Sequence, residues 1–251
     1  MFRVVIPARF DSTRLPGKVL LPLAGKPMIQ WVHERASAAG AHEVIIATDD
    51  ARIAAAARHF GAEVAMTTTT HPSGSDRIAE AARARGWADG DIVVNVQADE
   101  PLIPPELIAQ VARLLETHRD AHLATLATPI AALEEFLDPN VVKVVFDAQG
   151  RALYFSRAPI PWDRDGAPSG WASQTSVAGA MRHIGIYAYR VAALVKLTLQ
   201  PPSALELREK LEQLRALENG LRICVALASV APGPDVNTAE DLRRVEHLMR
   251  G

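Results

Sequence analysis

The sequence predicts an α/β fold in which helices flank a mostly parallel, twisted sheet. Short apolar segments alternate with amphipathic segments of about 10–15 residues, a pattern typical of βαβ units. The segment DIVVNVQ (91–97) is apolar on both faces, as a central parallel strand should be. The chain has 251 residues, of which 49% are hydrophobic, so it can bury a large core around such a sheet.

The strands and helices of the first half are marked by their composition and by their ends. The strands are short apolar runs, whereas the helices repeat apolar residues every three or four positions. Pro27 begins the first helix and Gly40 ends it, and Ser73 or Ser75 can cap the third. We predict strands at 3–6, 43–48, 63–66 and 91–97, and helices at 27–40, 50–60, 73–86 and 104–118.

The pattern becomes less regular after residue 140. Residues 141–156 predict a hairpin that turns at Gln149 and Gly150, and 157–181 predict a long functional loop rich in Pro, Gly, Ser and Trp. The remaining predicted elements are a strand at 183–190, a helix at 203–220, a strand at 221–228 and a helix at 238–249. We therefore expect a single domain over residues 1–251, with a less regular lobe at about 150–220.

Composition and charge argue against several classes of protein. The net charge of −2 disfavours a nucleic-acid binder, which would carry a strong positive charge. The single cysteine, Cys224, lies in the apolar run ICVALA, which indicates a core residue rather than a catalytic thiol and excludes an internal disulfide. No apolar run reaches the roughly 18 residues of a membrane span, and no leader pattern precedes the first strand. We therefore expect a cytoplasmic protein that binds neither nucleic acid nor membrane.

The most informative segment is the loop IPARFDSTRLPGK at residues 6–18. It follows the first strand and carries three cations, Arg9, Arg14 and Lys18. Its prolines and glycine prevent a continuous helix or strand. A bent cationic loop at the carboxyl edge of a sheet is suited to a polyanion such as a nucleoside triphosphate, although a solvated loop is the simpler alternative. Neither of the two common glycine-rich phosphate-binding motifs occurs.

Two further loops follow predicted strands. Asp99, in VNVQADEPLIP, comes directly after the central strand, so its carboxylate is a candidate Mg²⁺ ligand, or else a turn-forming residue. Its neighbour Glu100 should point elsewhere. The segment HPSGSDR at 71–77 leads into a helix, and its backbone N–H groups could bind an anion or a base edge, or serve only as an ordinary helix cap.

Segments spread over the whole chain carry a family resemblance. They read, in order, IPARFDSTRLPGK, GKPMIQWV, ATDD, HPSGSDRIAE, VNVQADEPLIP, DPNVVKVV, ALYFSRAPIPWDRD, RHIGIYAYR, LEQLR and TAEDL. Together they resemble the 3-deoxy-manno-octulosonate (KDO) cytidylyltransferases, or CMP-KDO synthetases. The first segment alone would indicate only a sugar nucleotidyltransferase, whereas ALYFSRAPIPWDRD with RHIGIYAYR is more specific to the KDO enzymes.

The resemblance implies a Rossmann-like nucleotidyltransferase fold and a reaction. CTP and KDO would give CMP-KDO and pyrophosphate with Mg²⁺ as cofactor, for lipopolysaccharide biosynthesis. The anomeric hydroxyl of the sugar would attack the α-phosphorus in line, so that the protein mainly positions groups and neutralises charge. The resemblance also implies a homodimer, whose interface the lobe at about 150–220 could supply.

The resemblance assigns roles to individual residues. The catalytic group comprises Arg14, Lys18 and Asp99. The nucleotide would contact Pro7, Ala8, Arg9, Arg14, Lys18, Ser73, Gly74, Arg77 and Gln97. The sugar would contact Gln97, Arg157, His183, Glu212 and Gln213, with Arg157 facing its carboxylate. Without the resemblance, Glu212 and Gln213 would be interpreted as a solvated helix face and His183 as a structural histidine.

Two positions depart from the family pattern. Ala98 stands where the family usually has glycine, and the added methyl group would be tolerated if φ is negative at this position. Asn237 stands where the family usually has an aspartate that binds the metal, and Asp235 lies two residues upstream. Either Asn237 is a neutral metal ligand or Asp235 assists.

Two alternative functions remain open at this point. The chain could activate another acidic sugar, such as an amino-substituted KDO or a sialic acid. It could also be a non-catalytic nucleotide-binding protein on a degenerate transferase scaffold, an idea that the changed metal position motivates. The spacing of the motifs alone does not determine which nucleotide base the protein prefers, so the assignment of CTP as substrate depends on the family resemblance.

Overall fold

The structure is a computed structural model in which residues 1–11, 15–167 and 169–250 are described. Its strands are β1 (Phe2–Ala8), β2 (Pro22–Leu23), β3 (Lys26–Pro27), β4 (Glu43–Thr48), β5 (Glu63–Met66), β6 (Ile92–Asn95), β7 (Leu123–Pro129), β8 (Lys143–Phe146), β9 (Ala152–Ser156), β10 (Met181–Arg190) and β11 (Ile223–Leu227). Its α-helices are α1 (Met28–Ala38), α2 (Ala51–His59), α3 (Gly74–Ala84), α4 (Pro105–Thr117), α5 (Leu133–Leu137), α6 (Val191–Leu199), α7 (Ala204–Glu209), α8 (Glu212–Glu218) and α9 (Ala239–Arg250). Short 3-10 helices cover Lys18–Leu20 and Trp171–Ser173. None of the helices in the described ranges has the length and apolarity that a membrane span requires.

The described strands build a nine-stranded mixed sheet with the order β11-β7-β10-β6-β1-β4-β5, to which the hairpin β8–β9 is added beside β10. Strand β1 runs parallel to both β4 and β6, β5 runs parallel to β4, and β11 runs parallel to β7. Strand β10 is antiparallel to its neighbours β6 and β7. The predicted α/β fold is therefore confirmed, and the carboxyl ends of β1, β4 and β6 meet at one edge of the sheet.

Apolar side chains cover both faces of this sheet. On one face α1, α2, α4 and α9 pack through residues such as Val32 and Val111, and on the other α3, α6 and α8 pack through residues such as Ile78 and Leu194. Cys224 is buried on the first face, and burial raises the pKa of its thiol to about 12. The prediction that this cysteine is a core residue is confirmed.

The predicted hairpin at 141–156 is also confirmed, as the antiparallel pair β8 and β9. Its turn is closed by a hydrogen bond from the Gly150 amide to the Asp147 carbonyl oxygen at 2.9 Å. Gly150 has a φ of +75°, and an added Cβ would lie 2.8 Å from the carbonyl oxygen of Val225. Both the backbone conformation and the close approach of β11 therefore require glycine here.

The single helix predicted at 203–220 is wrong, because the chain breaks there into α7 and α8. Lys210 adopts a left-handed conformation with φ 55° and ends α7. Two hydrogen bonds from Arg215 to the Glu206 carboxylate, at 2.6 and 2.7 Å, then hold α8 against α7. Lysine has a good helix propensity, so the local sequence gives no sign of this break.

Strand β7 and helix α6 were not predicted. Strand β7 reads LATLATP, and its alanines and threonines give a weak strand signal because alanine has low β propensity. In the fold it lies between β10 and β11 and is almost entirely buried. Its neighbours in the sheet, rather than its own composition, account for its conformation.

Candidate functional site

The cationic loop leaves the sheet at the carboxyl end of β1, whose last residues are Pro7 and Ala8. The Gly17 amide donates a hydrogen bond to the carbonyl oxygen of Phe10 at 3.0 Å and closes the loop. Gly17 has a φ of +66°, and an added Cβ would lie 2.9 Å from the Phe10 ring. The guanidinium of Arg52 also stacks on this ring, 3.4 Å from its centroid. The base of the loop is thus anchored by Phe10.

The three cations predicted to bind phosphate have different outcomes. Arg9 lines a cavity of about 270 Å³ together with Asp49 and Arg77. Arg14 lies outside the described residues. Lys18 begins the 3-10 helix that follows Gly17 and directs its ammonium group across the edge of the sheet.

Lys18 meets two of the predicted metal ligands. Its Nζ lies 2.6 Å from Asp99 Oδ2 and 3.4 Å from Asn237 Oδ1, and it donates a further hydrogen bond to the Val236 carbonyl oxygen at 3.2 Å. The Val236 amide in turn donates to the Asp99 carbonyl oxygen at 2.8 Å, which ties the segment before α9 to the loop after β6. The structure thus brings together the loop after β1, the loop after β6 and the segment before α9.

The amide of Asn237 separates Asp99 from Asp235. Its Nδ2 donates a hydrogen bond to the Asp235 carboxylate, while its Oδ1 accepts one from Lys18. The neutral amide oxygen therefore shares the ammonium of Lys18 with Asp99, and Asp235 contacts the other end of the amide. This arrangement favours Asn237 over Asp235 as the candidate for a metal ligand beside Asp99.

The acid next to Asp99 contributes little charge to this cluster. Burial raises the pKa of Glu100 to about 8, and the charges of Asp99 and Asp235 act in the same direction. Glu100 is therefore mostly protonated at neutral pH. Within the described residues no group of three or more His, Cys, Asp or Glu side chains is placed to hold a metal. Mg²⁺ commonly takes one or two protein oxygens and completes its shell with phosphate oxygens and water, so a cation at Asp99 would not require such a group.

The alanine that replaces the family's usual glycine is accommodated without strain. Among the described non-glycine residues, only Ala24 and Lys210 have a positive φ, so Ala98 does not. Its side chain is buried in the core beside β6. The expectation that a methyl group is tolerable at this position is met.

The second predicted loop brings the start of α3 close to the end of β1. Ser73 caps the helix by accepting a hydrogen bond from the Asp76 amide at 3.3 Å, so the capping interpretation holds. A Cβ on Gly74 would lie 3.3 Å from Pro7 Cγ, so the helix start packs directly on the strand that carries the cations. Its first amide groups consequently face the same edge of the sheet.

Arg77 supports this arrangement from within the protein. Its side chain is only 4% exposed and forms an ion pair with Asp49 at 3.1 Å, and its guanidinium also donates to Thr67 Oγ1. The pair joins α3 to the loop after β4. Arg77 therefore supports the wall of the cavity that also contains Arg9, and its predicted contact with the nucleotide stays a prediction.

A cavity of about 290 Å³, lined by both polar and apolar side chains, lies beside the start of α3 and the end of β6. It brings together five residues that were predicted to contact nucleotide or sugar: Gly74, Gln97, His183, Glu212 and Gln213. Its wall also includes Ser75, Asn95, Leu123, Gly185, Tyr187, Tyr189, Leu197 and Leu211. Gln97 lies two residues before Asp99, so the segment that follows β6 contributes both to the cavity wall and to the Lys18 cluster.

His183 contacts this cavity as a neutral group. Burial lowers the pKa of its imidazole to about 3, and the positive charge of Arg182 contributes in the same direction. Its Nε2 lies 2.9 Å from Thr125 Oγ1, and that hydroxyl is placed to donate to the Ile186 carbonyl oxygen at 2.7 Å. Nε2 is then the protonated nitrogen, which leaves Nδ1 as a hydrogen-bond acceptor. His183 is thus both structurally bonded and part of the cavity wall.

The first turn of α8 supplies the opposite wall. Glu212 accepts a hydrogen bond from Ser75 Oγ, and Gln213 is 9% exposed. Neither side chain lies on a solvated helix face, which is where the polar pattern of this helix alone would place them. The break at Lys210 is what turns this helix towards the cavity.

The sequence interpretation missed four polar residues of the cavity: Asn95, Tyr187 and Tyr189, and Ser75, which it considered only as a helix cap. A signal for the three that lie in strands exists in the period-2 alternation of strands. Asn95 stands two residues before Gln97, and both tyrosines share with His183 the odd-numbered positions of β10. Polar residues at alternate positions of otherwise apolar strands could have identified this face.

Arg157 is the one described candidate for the sugar site that does not line the cavity. Its Nε donates to the Glu209 carbonyl oxygen at 2.7 Å and its guanidinium to the Pro139 carbonyl oxygen at 2.9 Å. Its own amide donates to the Glu209 carboxylate at 2.9 Å. Its role at a sugar carboxylate stays a prediction, and it requires at least one of these side-chain bonds to be exchanged.

Comparisons with known proteins identify the family of this chain. A family model described as cytidylyltransferase matches residues 3–223. A 3-deoxy-manno-octulosonate cytidylyltransferase from Thioalkalivibrio sulfidiphilus is 59% identical over 249 residues, 99% of each chain. Another protein of that name, from Marinobacter nauticus, is 55% identical over 252 residues, 99% of this chain and 97% of the relative.

Solved structures show the same relationship. A CMP:2-keto-3-deoxy-manno-octonic acid synthetase complexed with CTP has a TM-score of 0.89 and 40% identity, and the match covers 100% of this chain and 99% of the other. A 4-diphosphocytidyl-2C-methyl-D-erythritol synthase, at 12% identity and a TM-score of 0.65 over 98% of each chain, shares the fold alone. The chain belongs to the cytidylyltransferase family, and within it to the 3-deoxy-manno-octulosonate cytidylyltransferases.

Proposed function

We propose that this enzyme transfers CMP from CTP to the anomeric hydroxyl of KDO and releases pyrophosphate. The observation that carries the proposal is the convergence of Lys18, Asp99 and Asn237 close to a cavity of about 290 Å³ whose wall contains several polar side chains. The cluster can hold phosphates and a cation, and the cavity can hold a sugar. Relatives named for this activity, and a solved relative complexed with CTP, support the assignment.

In this proposal the protein binds the triphosphate at the edge of the sheet. Arg9, Lys18 and Arg14 would neutralise the phosphates and the charge that develops on the leaving pyrophosphate. The N-terminus of α3, with Ser73 and Gly74, would face the nucleotide. Its position against β1 is fixed, so these donors need little reorganisation during the reaction.

Mg²⁺ would be held by the oxygens of Asp99 and Asn237. The donor set fits, because Mg²⁺ takes one or two protein oxygens and completes its shell with phosphate and water. The hydrogen bonds from the Lys18 ammonium to the same oxygens support the proposal that a cation binds at this position. When bound, the metal would stabilise charge on the α-phosphate and lower the pKa of a coordinated sugar hydroxyl.

The sugar would lie in the cavity between β10 and α8. His183, Glu212, Gln213 and Gln97 offer neutral and anionic hydrogen-bond partners for its hydroxyl groups. Because His183 is neutral, it cannot balance the sugar's carboxylate. In the proposal Arg157 provides that charge after exchanging its bonds to the carbonyl groups.

We also propose a homodimer that acts in the cytoplasm. Strand β9 pairs only with β8 among the described strands, and its Leu153 is 62% exposed. Leu205 and Leu207 of α7 are exposed as well. An edge strand with exposed leucines is a surface that a second copy could cover. Light scattering after gel filtration, with Leu153→Glu as the disrupting variant, tests this part of the proposal.

Pyrophosphate release tests the reaction. The purified protein, CTP and Mg²⁺ should release pyrophosphate with KDO, and Asp99→Asn should remove most of that turnover. Amino-substituted KDO and sialic acid serve as competing substrates. Faster turnover with either of them would reassign the sugar, and no turnover with any sugar would favour a non-catalytic nucleotide-binding protein.

A further inference from the structure

The ammonium group of Lys18 lies on the oxygens that the proposed function assigns to the metal. Its Nζ is 2.6 Å from Asp99 Oδ2 and 3.4 Å from Asn237 Oδ1. The side chains of Lys18 and Asp99 are largely shielded from solvent, with 14% and 25% of their surface exposed. The same lysine is expected to bind the triphosphate. One cation therefore has two alternative anionic partners, the carboxylate of Asp99 and the phosphates of CTP.

The Lys18 ammonium and a divalent cation cannot both bind the side-chain oxygens of Asp99 and Asn237 at the same time. Mg²⁺ binds oxygen at about 2.0–2.1 Å and requires near-octahedral geometry. An ammonium hydrogen-bonded to the same oxygens would lie within a few ångströms of the metal, where the two positive charges repel each other. Of the two assigned ligands only Asp99 carries a charge, so a single ammonium neutralises the pair.

We propose that Lys18 is an exchangeable internal counter-ion that couples metal binding to CTP binding. Without nucleotide, Lys18 holds Asp99 and opposes entry of the metal. When CTP binds, its phosphates attract the ammonium, and Asp99 and Asn237 are released to the metal. This inference rests on the proposed function, because it takes Asp99 and Asn237 as the metal ligands.

The geometry allows the side chain to move without the backbone. Main-chain hydrogen bonds hold the turn, from the Lys18 amide to the Leu15 carbonyl oxygen at 3.2 Å and from the Leu20 amide to the Gly17 carbonyl oxygen at 2.9 Å. The lysine side chain has a flexible four-carbon stem and a compact charge, so it can exchange one oxygen partner for another by rotation. No rearrangement of the sheet is required.

Binding of Mn²⁺ to the nucleotide-free protein, measured by electron paramagnetic resonance, tests the inference. We expect Lys18→Met and Lys18→Gln each to bind Mn²⁺ at least 10-fold more tightly than the wild type. The same variants should gain more thermal stability from Mn²⁺ than the wild type does, since the metal replaces the lost counter-ion. Two variants are used so that a folding defect in one does not decide the result.

Matched variants separate a direct exchange from a general change of charge. Lys26→Met removes a lysine whose ion pair is with Glu34, at 2.8 Å, and should leave Mn²⁺ affinity unchanged. Arg9→Met removes another cation of the same loop and should have a much smaller effect than Lys18→Met. If Arg9→Met tightens Mn²⁺ binding as much as Lys18→Met does, the counter-ion role is refuted in favour of a general field effect.

The outcomes also distinguish this inference from the proposed function. Unchanged Mn²⁺ affinity in both Lys18 variants, with turnover of the wild type intact, would overturn the exchange alone. Tighter Mn²⁺ binding that persists when Asp99→Asn is added to Lys18→Met would also overturn it, because the metal would then bind elsewhere. Absence of pyrophosphate release by the wild type would instead contradict the proposed function.

Discussion

The buried ion pair between Arg77 and Asp49 makes a quantitative prediction about the nucleotide pocket. The guanidinium lies 3.1 Å from the carboxylate, with side chains 4% and 18% exposed. Arg77→Met keeps the length of the side chain but leaves Asp49 without its partner. Breaking a buried pair costs about 3–5 kcal/mol, and the partial exposure of Asp49 places this case near the lower limit, at about 3 kcal/mol. For a chain of this length that corresponds to a fall in Tm of about 6–12 °C.

Urea unfolding of matched variants measures this effect. Arg85→Met is the control, because Arg85 lies at the end of the same helix and forms exposed pairs with Glu43 and Glu63 at 2.6 and 3.1 Å. Such surface pairs contribute less than about 1 kcal/mol. CTP affinity, measured by calorimetry, should fall in Arg77→Met and not in Arg85→Met, because only Arg77 lines the cavity that contains Arg9.

A double-mutant cycle separates the ion pair from simple loss of packing. Adding Asp49→Asn to Arg77→Met removes the unpaired charge, so the double variant should lose clearly less stability than the sum of the single variants. The reasoning would be refuted if Arg77→Met were no less stable than Arg85→Met. Strict additivity of the two substitutions at positions 77 and 49 would refute it as well.

Four further predictions concern the site. Lys18→Ala should lower kcat/KM for CTP by about 100- to 1000-fold while the thermal transition stays cooperative, and a near-normal value would remove Lys18 from the phosphate site. Asn237→Asp should lower the Mg²⁺ concentration for half-maximal rate, because a charged ligand binds a hard cation more tightly, whereas Asp235→Asn should change it little; the reverse order would make Asp235 the ligand. Arg157→Lys should weaken KDO binding and spare CTP binding in calorimetry, since lysine lacks the bidentate fork, and equal losses would contradict the assignment. The pKa of His183 is 6.5 in the unfolded chain and about 3 in the folded protein, so the unfolded state binds the proton first and stability should fall as the pH drops from 6.5 towards 3. His183→Gln should flatten that part of the curve of Tm against pH, and an unchanged slope would contradict burial of the neutral imidazole.

Local sequence was sufficient for the longer strands and helices up to α4, although it did not predict the short strands β2 and β3. Strand β4 has the predicted limits, 43–48, and β5 has the predicted limits, 63–66. The helices α1 to α4 lie within the predicted ranges, because caps, prolines and glycines mark their ends. The position of Asp99 after β6 also followed from the pattern, since the carboxyl end of a parallel strand is a local property of the chain.

Contacts between separate helices and between neighbouring strands decided what the pattern could not show. Lys210 ends α7 in a left-handed conformation, and the pair between Arg215 and Glu206 turns α8 towards the cavity. Lysine at such a position has no local signature, so the sequence predicted one continuous helix. Strand β7 likewise takes its conformation from β10 and β11, which complete its hydrogen bonds on both sides.

The amino-acid sequence by itself determined the alternation of strands and helices, the cationic loop after β1, the acid after β6 and the family resemblance, because each depends on residues close together in the chain. Only the tertiary structure decided that Lys18 bonds Asp99 and Asn237, that Asp235 contacts the other end of the Asn237 amide, and that Arg157 lies outside the cavity wall. The contacts of Lys18 join residues 81 and 219 positions apart in the sequence, and they leave the other end of the Asn237 amide to Asp235. Their geometry depends on how the sheet and the helices pack, and no local pattern encodes it.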